Sequence, residues 1–276
     1  MNPYFTNQNF TLYNQDCIKV MQSLPSNSID MVFADPPYFL SGGSFTCKNG
    51  QMVSVKKGDW DIAETLQEQF DFQKIWIEQA RRILKPNGTI WISGTYHSIY
   101  QCGFALQLLN FKILNDIAWY KPNAAPNLSG RYFTASHETL IWAIKDKNEK
   151  HTFNYSDMKN KSYKEDVFKN EGKQMRSVWS IPTTPKREKL SGNHPTQKPL
   201  SLIERIIVAS TNEGDTVFDP FSGSCTTGVA CYLLNRKFIG AELEKEYVDL
   251  GIARLNEVQN KHKEDLLYSS QININV

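Results

Sequence analysis

The chain is poor in the residues that would mark it for a metal, a membrane or an oxidising compartment. Its five cysteines (Cys17, Cys47, Cys102, Cys225 and Cys231) form no CxxC pair and are odd in number, and its five histidines show no metal-ligand spacing. Reduced thiols in a cytoplasmic protein without a metal centre are the expectation. No window reaches the roughly 18 consecutive apolar residues that a membrane helix needs. The opening stretch, MNPYFTNQNFTLYNQD, lacks the basic start and apolar run of a signal peptide. Neither a GxGxxG fingerprint nor a Walker lysine occurs, which disfavours NAD and ATP. No internal repeat is visible.

What is present is ordinary in bulk and uneven in detail. Apolar residues make up 40% and charged residues 22% of 276, enough for one large domain or one domain with an insertion. The net charge of +2 hides a segregation. Residues 145–190 hold 12 Lys/Arg and 7 Asp/Glu, a net of +5, which leaves 19 basic and 22 acidic residues elsewhere, a net of −3. Such a stretch suits a polyanionic partner or a solvated lysine-rich insertion, and charge alone does not separate the two.

Strand-like and helix-like segments alternate. Apolar runs predict strands at 10–14, 28–34, 88–94, 113–120, 138–144, 215–221 and 237–243. Helical spacing predicts helices at 17–24, 64–84, 97–109, 199–210, 226–235 and 246–260. In the helix at 64–84, Phe72, Ile75, Trp76, Ala80 and Ile83 are expected on one apolar face. A long Gly/Ser/Lys-rich loop is expected to about residue 60, its 41–58 portion either closing over a substrate or lying on the surface. Over 145–190 the rhythm breaks into a polar stretch with five dispersed aromatics, Phe153, Tyr155, Tyr163, Phe168 and Trp179. The alternation predicts an α/β fold with a mostly parallel sheet covered on both faces, binding ligands beyond the carboxyl ends of its strands. Asp35 and Asp219 both end strands, and are expected to line one crevice although 184 residues apart.

Two motifs carry chemistry. In DMVFADPPYFLSGG (30–43), Asp35-Pro36-Pro37-Tyr38 follows an apolar strand. Pro-Pro is a good strand stop. The Asp35 carboxylate and Pro36 carbonyl also offer two acceptors side by side, and Tyr38 a flat face, a set suited to an amino group on an aromatic ring. In DPFSGSCTTGVA (219–230), a strand leads through Ser222-Gly223-Ser224 into a helix. Small residues let backbone N–H groups approach a ligand there. Glu242, 19 residues after Gly223, ends the next strand and is placed to bind ribose hydroxyls. A nucleoside-containing cofactor follows. S-adenosyl-L-methionine has a ribose and a sulfonium but no phosphate. Phe221 can pack on its adenine or face its cation, and Asp219 or Asp35 can meet its ammonium group.

These motifs resemble a known family. Asp35-Pro36-Pro37-Tyr38 is similar to the catalytic motif of amino-methyltransferases acting on DNA bases, and DPFSGSCTTG to their cofactor motif. His194-Pro195-Thr196-Gln197-Lys198-Pro199 looks like their third marker. The order of catalytic motif, basic variable region and cofactor motif is that of the β-class adenine-N6/cytosine-N4 enzymes. ADPPYFLSGG followed by VSVKKGDWD (53–61) further resembles the DpnA-type companion methyltransferases of GATC restriction systems. One departure is Cys225, where many relatives carry Gly; a modest adjustment of the turn is expected.

The resemblance implies a Rossmann-like S-adenosylmethionine-dependent methyltransferase fold. Residues 1–144 would form its catalytic half, 145–190 an inserted target-recognition region, and 191–276 its cofactor-binding half. It places Asp16 and Cys17 near the cofactor adenine, although Asp16 also reads as a helix N-cap. Thr196 and Lys198 are placed beside the cofactor, with Asp219, Phe221, Ser222, Gly223, Ser224 and Glu242. Arg176, Lys186 and Arg187 are the expected contacts to double-stranded DNA. Asp35 favours adenine-N6 transfer, since cytosine-N4 enzymes usually carry Ser there. The intact motifs argue against a catalytically silent DNA-binding subunit. Homodimerisation and a cognate restriction endonuclease are further implied.

Overall fold

The computed structural model describes residues 1–39, 45–48, 51–54, 65–192 and 194–274. Among these residues nine strands form one sheet, entered by the short β1 (Phe5–Thr6), which pairs antiparallel with β2 (Phe10–Asn14). Beyond β2 lie four parallel strands in the order β11 (Lys237–Glu242), β10 (Thr216–Asp219), β3 (Ile29–Ala34) and β6 (Leu84–Gly94). The far half runs β8 (His137–Ile144), antiparallel to β6, then β7 (Lys112–Tyr120) and β9 (Val178–Ser180). Within the long-loop region, β4 (Phe45–Lys48) and β5 (Gln51–Ser54) pair as a separate antiparallel hairpin. The rest of the loop expected at 41–58 lies outside the described residues.

Apolar alternation explains why the central strands read as unbroken hydrophobic runs. Met31 and Phe33 of β3 face one side with Trp91 of β6, while Val32, Ala34, Ile90 and Ile92 face the other. Both faces are covered, so both registers must be apolar. The Val32 face packs on α1 (Cys17–Ser23), α2 (Leu66–Ile83) and α3 (Ile99–Leu108). The Met31 face packs on α5 (Leu200–Ser210), α6 (Thr226–Leu233) and α7 (Lys245–Ile274). Trp91 and Trp142, register partners across β6 and β8, stack at 5.0 Å.

Two sequence expectations need correction. Ile75 is half exposed, and Ile77 takes the buried place beside Gln73, Trp76, Ala80 and Ile83. The last helix continues well past residue 260, to Ile274. Over 145–190, a one-and-a-half-turn helix, α4 (Tyr155–Asn160), precedes β9, so this polar stretch contributes a strand to the main sheet. Its Asp166 is buried, accepts from Arg205 Nη1 at 2.5 Å and from Ser180 N at 3.1 Å, and ties the stretch to α5. Arg205 lies over the Tyr163 ring at 4.1 Å and the Trp179 ring at 5.1 Å, so two of the five dispersed aromatics act as packing.

Candidate active site

The parallel strands deliver their last residues to one edge, and the chemistry collects there. β3 and β10 are neighbours, with Phe218 opposite Val32, so Asp35 and Asp219 emerge side by side from separate motifs. The cleft between them encloses about 170 Å³ of water-accessible space. Asp16, Cys17, Asp35, Pro37, Thr196, Lys198, Asp219, Phe221, Ser222, Gly223, Ser224 and Glu242 all line it. Pro36 and Tyr38 stand buried behind its wall.

On the cofactor side, the turn after β10 is held by its own backbone and by strand tips. Ser222 N donates to Ala241 O at 2.9 Å, and Gly223 N to the Glu242 carboxylate at 2.8 Å. Gly223 has φ +49°, and a Cβ there would stand 3.1 Å from the His194 ring. Glycine meets both demands without strain. Glu242 also accepts from Glu244 N at 2.9 Å, leaving each of its oxygens a second lone pair for a hydroxyl. Burial pushes its carboxyl above the usual range. Asp219 is buried too, and despite accepting from Phe221 N (3.0 Å) and Thr227 Oγ1 (2.6 Å) its pKa is pushed up to about 7, chiefly by burial. Asp16 caps α1 by accepting from Lys19 N at 3.1 Å while also lining the cleft, so both readings of it hold. Burial and the neighbouring Asp16 push the Cys17 thiol up to about 12, so it stays protonated. Ser224 donates its place to structure: its Oγ and its carbonyl both accept from Arg254 of α7. Phe221 packs edge-on against Trp76 of α2 at 5.4 Å.

On the catalytic side, Asp35 sits in a buried ionic cluster. Tyr38 Oη and Lys198 Nζ both donate to its carboxylate, one to each oxygen. Lys198 also approaches Glu138 at 3.7 Å, and Glu138 pairs with Lys121 at 3.0 Å. Burial works to lower the Lys198 pKa, but the Asp35 and Glu138 carboxylates outweigh it and hold the ammonium charged. Burial raises Asp35 against the pull of Lys198. Tyr38 is raised well above its ordinary value by burial and then by both carboxylates, so it remains a phenol and a donor. The residue is 6% exposed, with Lys198 Nζ 5.6 Å from its ring centroid.

Glu138 and Lys121 were not singled out from sequence, and for Glu138 the strand explains why. β8 runs antiparallel to β6, so it brings its beginning, not its end, to the ligand edge. Tyr247 of α7 also lines the cleft, its ring 4.2 Å from that of His194. Arg176, Lys186 and Arg187 lie outside the cleft on exposed surface, the latter two in a 3₁₀ turn at Lys186–Glu188.

Residues 29–253 match the N6/N4 DNA methylase family. The chain belongs to that family. Among curated relatives, this DNA methylase is 52% identical over 256 residues to the type II methyltransferase M2.LlaDCHI of Lactococcus lactis subsp. cremoris, covering 92% of each chain. It is 50% identical over 260 residues to the type II methyltransferase M2.DpnII of Streptococcus pneumoniae, covering 94% of each. Among solved structures, it resembles the complex of M1.HpyAVI with S-adenosylmethionine, with a TM-score of 0.65, 30% identity, and 90% of this chain and 99% of that chain covered.

S-adenosylmethionine is the cofactor of this methylase, and the donor set fits it. Among the described residues, four carboxyls line the cleft (Asp16, Asp35, Asp219 and Glu242), against two basic residues, Lys198 and His194, of which Lys198 is already paired with Asp35. An acidic cleft favours a ligand bearing sulfonium and ammonium charges and disfavours phosphates. When bound, the cofactor supplies an electrophilic methyl group.

Proposed function

We propose that this DNA methylase methylates the N6 amine of adenine in double-stranded DNA, at GATC sites, after the base is flipped from the helix. The observation that carries the reading is Asp35, a carboxylate at the tip of β3 beside Asp219, with the Pro36 backbone next to it in sequence. A stacked base cannot reach such a recess, so the target must leave the stack. N–H groups of the adenine amine would donate to the Asp35 carboxylate and the Pro36 carbonyl. Each Asp35 oxygen retains a lone pair after accepting from Tyr38 or Lys198. Such bonds localise the amine lone pair and strengthen as positive charge develops on nitrogen, which favours the transition state. The raised proton affinity of Asp35 suits it to receive the proton the amine sheds after transfer. Lys198, held between Asp35 and Glu138, keeps the carboxylate positioned and has a second partner when Asp35 turns to the amine.

The GATC assignment is supported by the DpnA-type stretches at 34–43 and 53–61 and by the likeness to M2.DpnII. A restriction endonuclease cutting the same site is the corresponding partner. Arg176, Lys186 and Arg187 are proposed to meet phosphates, which positions the enzyme without specifying sequence. Homodimerisation is supported by Tyr100, Phe104 and Leu108, a four-residue-spaced stripe of exposed side chains on α3.

Asp35→Ala tests the clamp. Transfer from labelled S-adenosylmethionine to DNA should fall by about a hundred- to a thousandfold, the scale of losing a transition-state hydrogen bond. Cofactor affinity should stay within a few fold. Parallel losses of both would place Asp35 on the cofactor instead.

A further inference from the structure

The loop joining β7 to β8 holds two aromatic side chains out in solvent, Phe133 at 98% and Tyr132 at 71% exposed. Its base closes on the catalytic cluster: Lys121 N donates to Ser136 O at 2.8 Å, and Lys121 Nζ to Glu138, which itself accepts from Tyr38 at 3.4 Å. The tip is ordered by its own polar groups. Asn127 Oδ1 accepts from Ser129 N at 2.9 Å and from Ser129 Oγ at 2.8 Å, Asn127 Nδ2 donates to Tyr132 O, and Gly130 adopts φ +63° in open space. Apolar rings presented to water by an ordered loop call for a partner.

The surroundings identify its chemistry. From Ile117 to His137 there is no acidic residue, while Arg131 and His137 are exposed. Asn123 exchanges two hydrogen bonds with Thr183, at 3.0 and 2.9 Å, joining the loop to the stretch that carries Lys186 and Arg187. Exposed rings flanked by basic groups match a nucleic acid, which offers base faces and phosphates together.

Resting on the adenine reading above, we propose that residues 131–133 form the wedge that opens the duplex at the target. Phe133 enters the stack where the adenine leaves it, Tyr132 packs beside it, and Arg131 meets the adjacent phosphate. Extruding a base sacrifices its stacking, and an inserted side chain replaces part of that loss. The need for a wedge shrinks when the target is already unpaired.

The test compares Phe133→Ala with the unaltered enzyme on two duplexes, one fully paired and one with the target adenine opposite cytosine. On the paired duplex the variant should lose roughly tenfold or more in kcat/KM, and on the mismatched duplex it should stay within about threefold. Phe133→Trp should retain activity on both. With 2-aminopurine at the target position, fluorescence should rise on binding of the unaltered enzyme and rise less with Phe133→Ala. Equal losses on both duplexes would overturn the wedge, because a general fault in binding or folding does not distinguish them. No loss on either would overturn it as well and assign the rings to a protein contact. An unaltered enzyme that methylates neither duplex would defeat the adenine reading itself, and the wedge with it.

Discussion

Asp219 illustrates how one buried carboxyl couples pH to both folding and binding. Its pKa stands at about 7 in the folded chain, whereas an unfolded aspartate titrates near 3.9. Between those values the folded chain holds a proton that the unfolded chain has released. The stability tied to protonated Asp219 is therefore present below about pH 4 and is lost as pH rises through about 7. Cofactor binding should run the other way, since an ionised Asp219 attracts an ammonium group better than a neutral one. Calorimetric affinity for S-adenosylmethionine should rise by up to about tenfold per pH unit below pH 7 and level off above it. Asp219→Asn should flatten that slope, while a flat profile in the unaltered enzyme would remove Asp219 from the cofactor's charge. Gln73 shows a different residue-scale effect. It is fully buried, accepts from Trp76 Nε1 at 2.6 Å and reaches Pro37 O at 3.5 Å, so α2 steadies the catalytic loop through a polar group. A glutamine at the centre of the buried stripe is also why the face of α2 was misjudged at Ile75. The apolar pattern alone has a gap where the true stripe has Gln73.

At the scale of elements, the turn into α6 and the packing of α7 have to be solved together. Cys225 takes the left-handed conformation at φ +60°, which L side chains other than Asn and Asp seldom adopt. Gly is free of that strain, which is the physical reason a glycine suits this position. The side chain is accommodated because α7 presents Gly251, where a Cβ would lie 2.7 Å from the Cys225 Cβ. Alanine is ordinarily the better helix residue by about 1 kcal/mol. Here Gly251→Ala should destabilise by about 1–3 kcal/mol through overpacking. In a Cys225→Gly background the same change should become neutral or stabilising, as read from urea unfolding of the four proteins in the cycle. Simple additivity would show that the two elements do not meet as described. Element ends also decide what was legible. Asp35, Asp219 and Glu242 were readable because parallel strands present their last residues to the ligand edge. Glu138 was not, because the antiparallel β8 presents its first ones, and strand direction is not written in an apolar run.

Over the whole molecule, charge is partitioned between an acidic cleft and a basic stretch at 145–190. The basic stretch was legible from composition, but the acidity of the cleft and the stretch's attachment were not. Asp166, paired with Arg205, and the three residues of β9 tie it into the main sheet by contacts far apart in sequence. Trp179 looks like any aromatic in a polar run until its burial against Trp91 is seen. The cleft suits a cationic cofactor and an amine, and the basic surface suits the polyanion that carries the amine. The most direct test of this account uses labelled S-adenosylmethionine with two duplexes, one containing GATC and one with that site scrambled, followed by digestion and identification of the modified nucleoside. The account predicts N6-methyladenine from the GATC duplex alone. N4-methylcytosine, or no methylated nucleoside from either duplex, would contradict it.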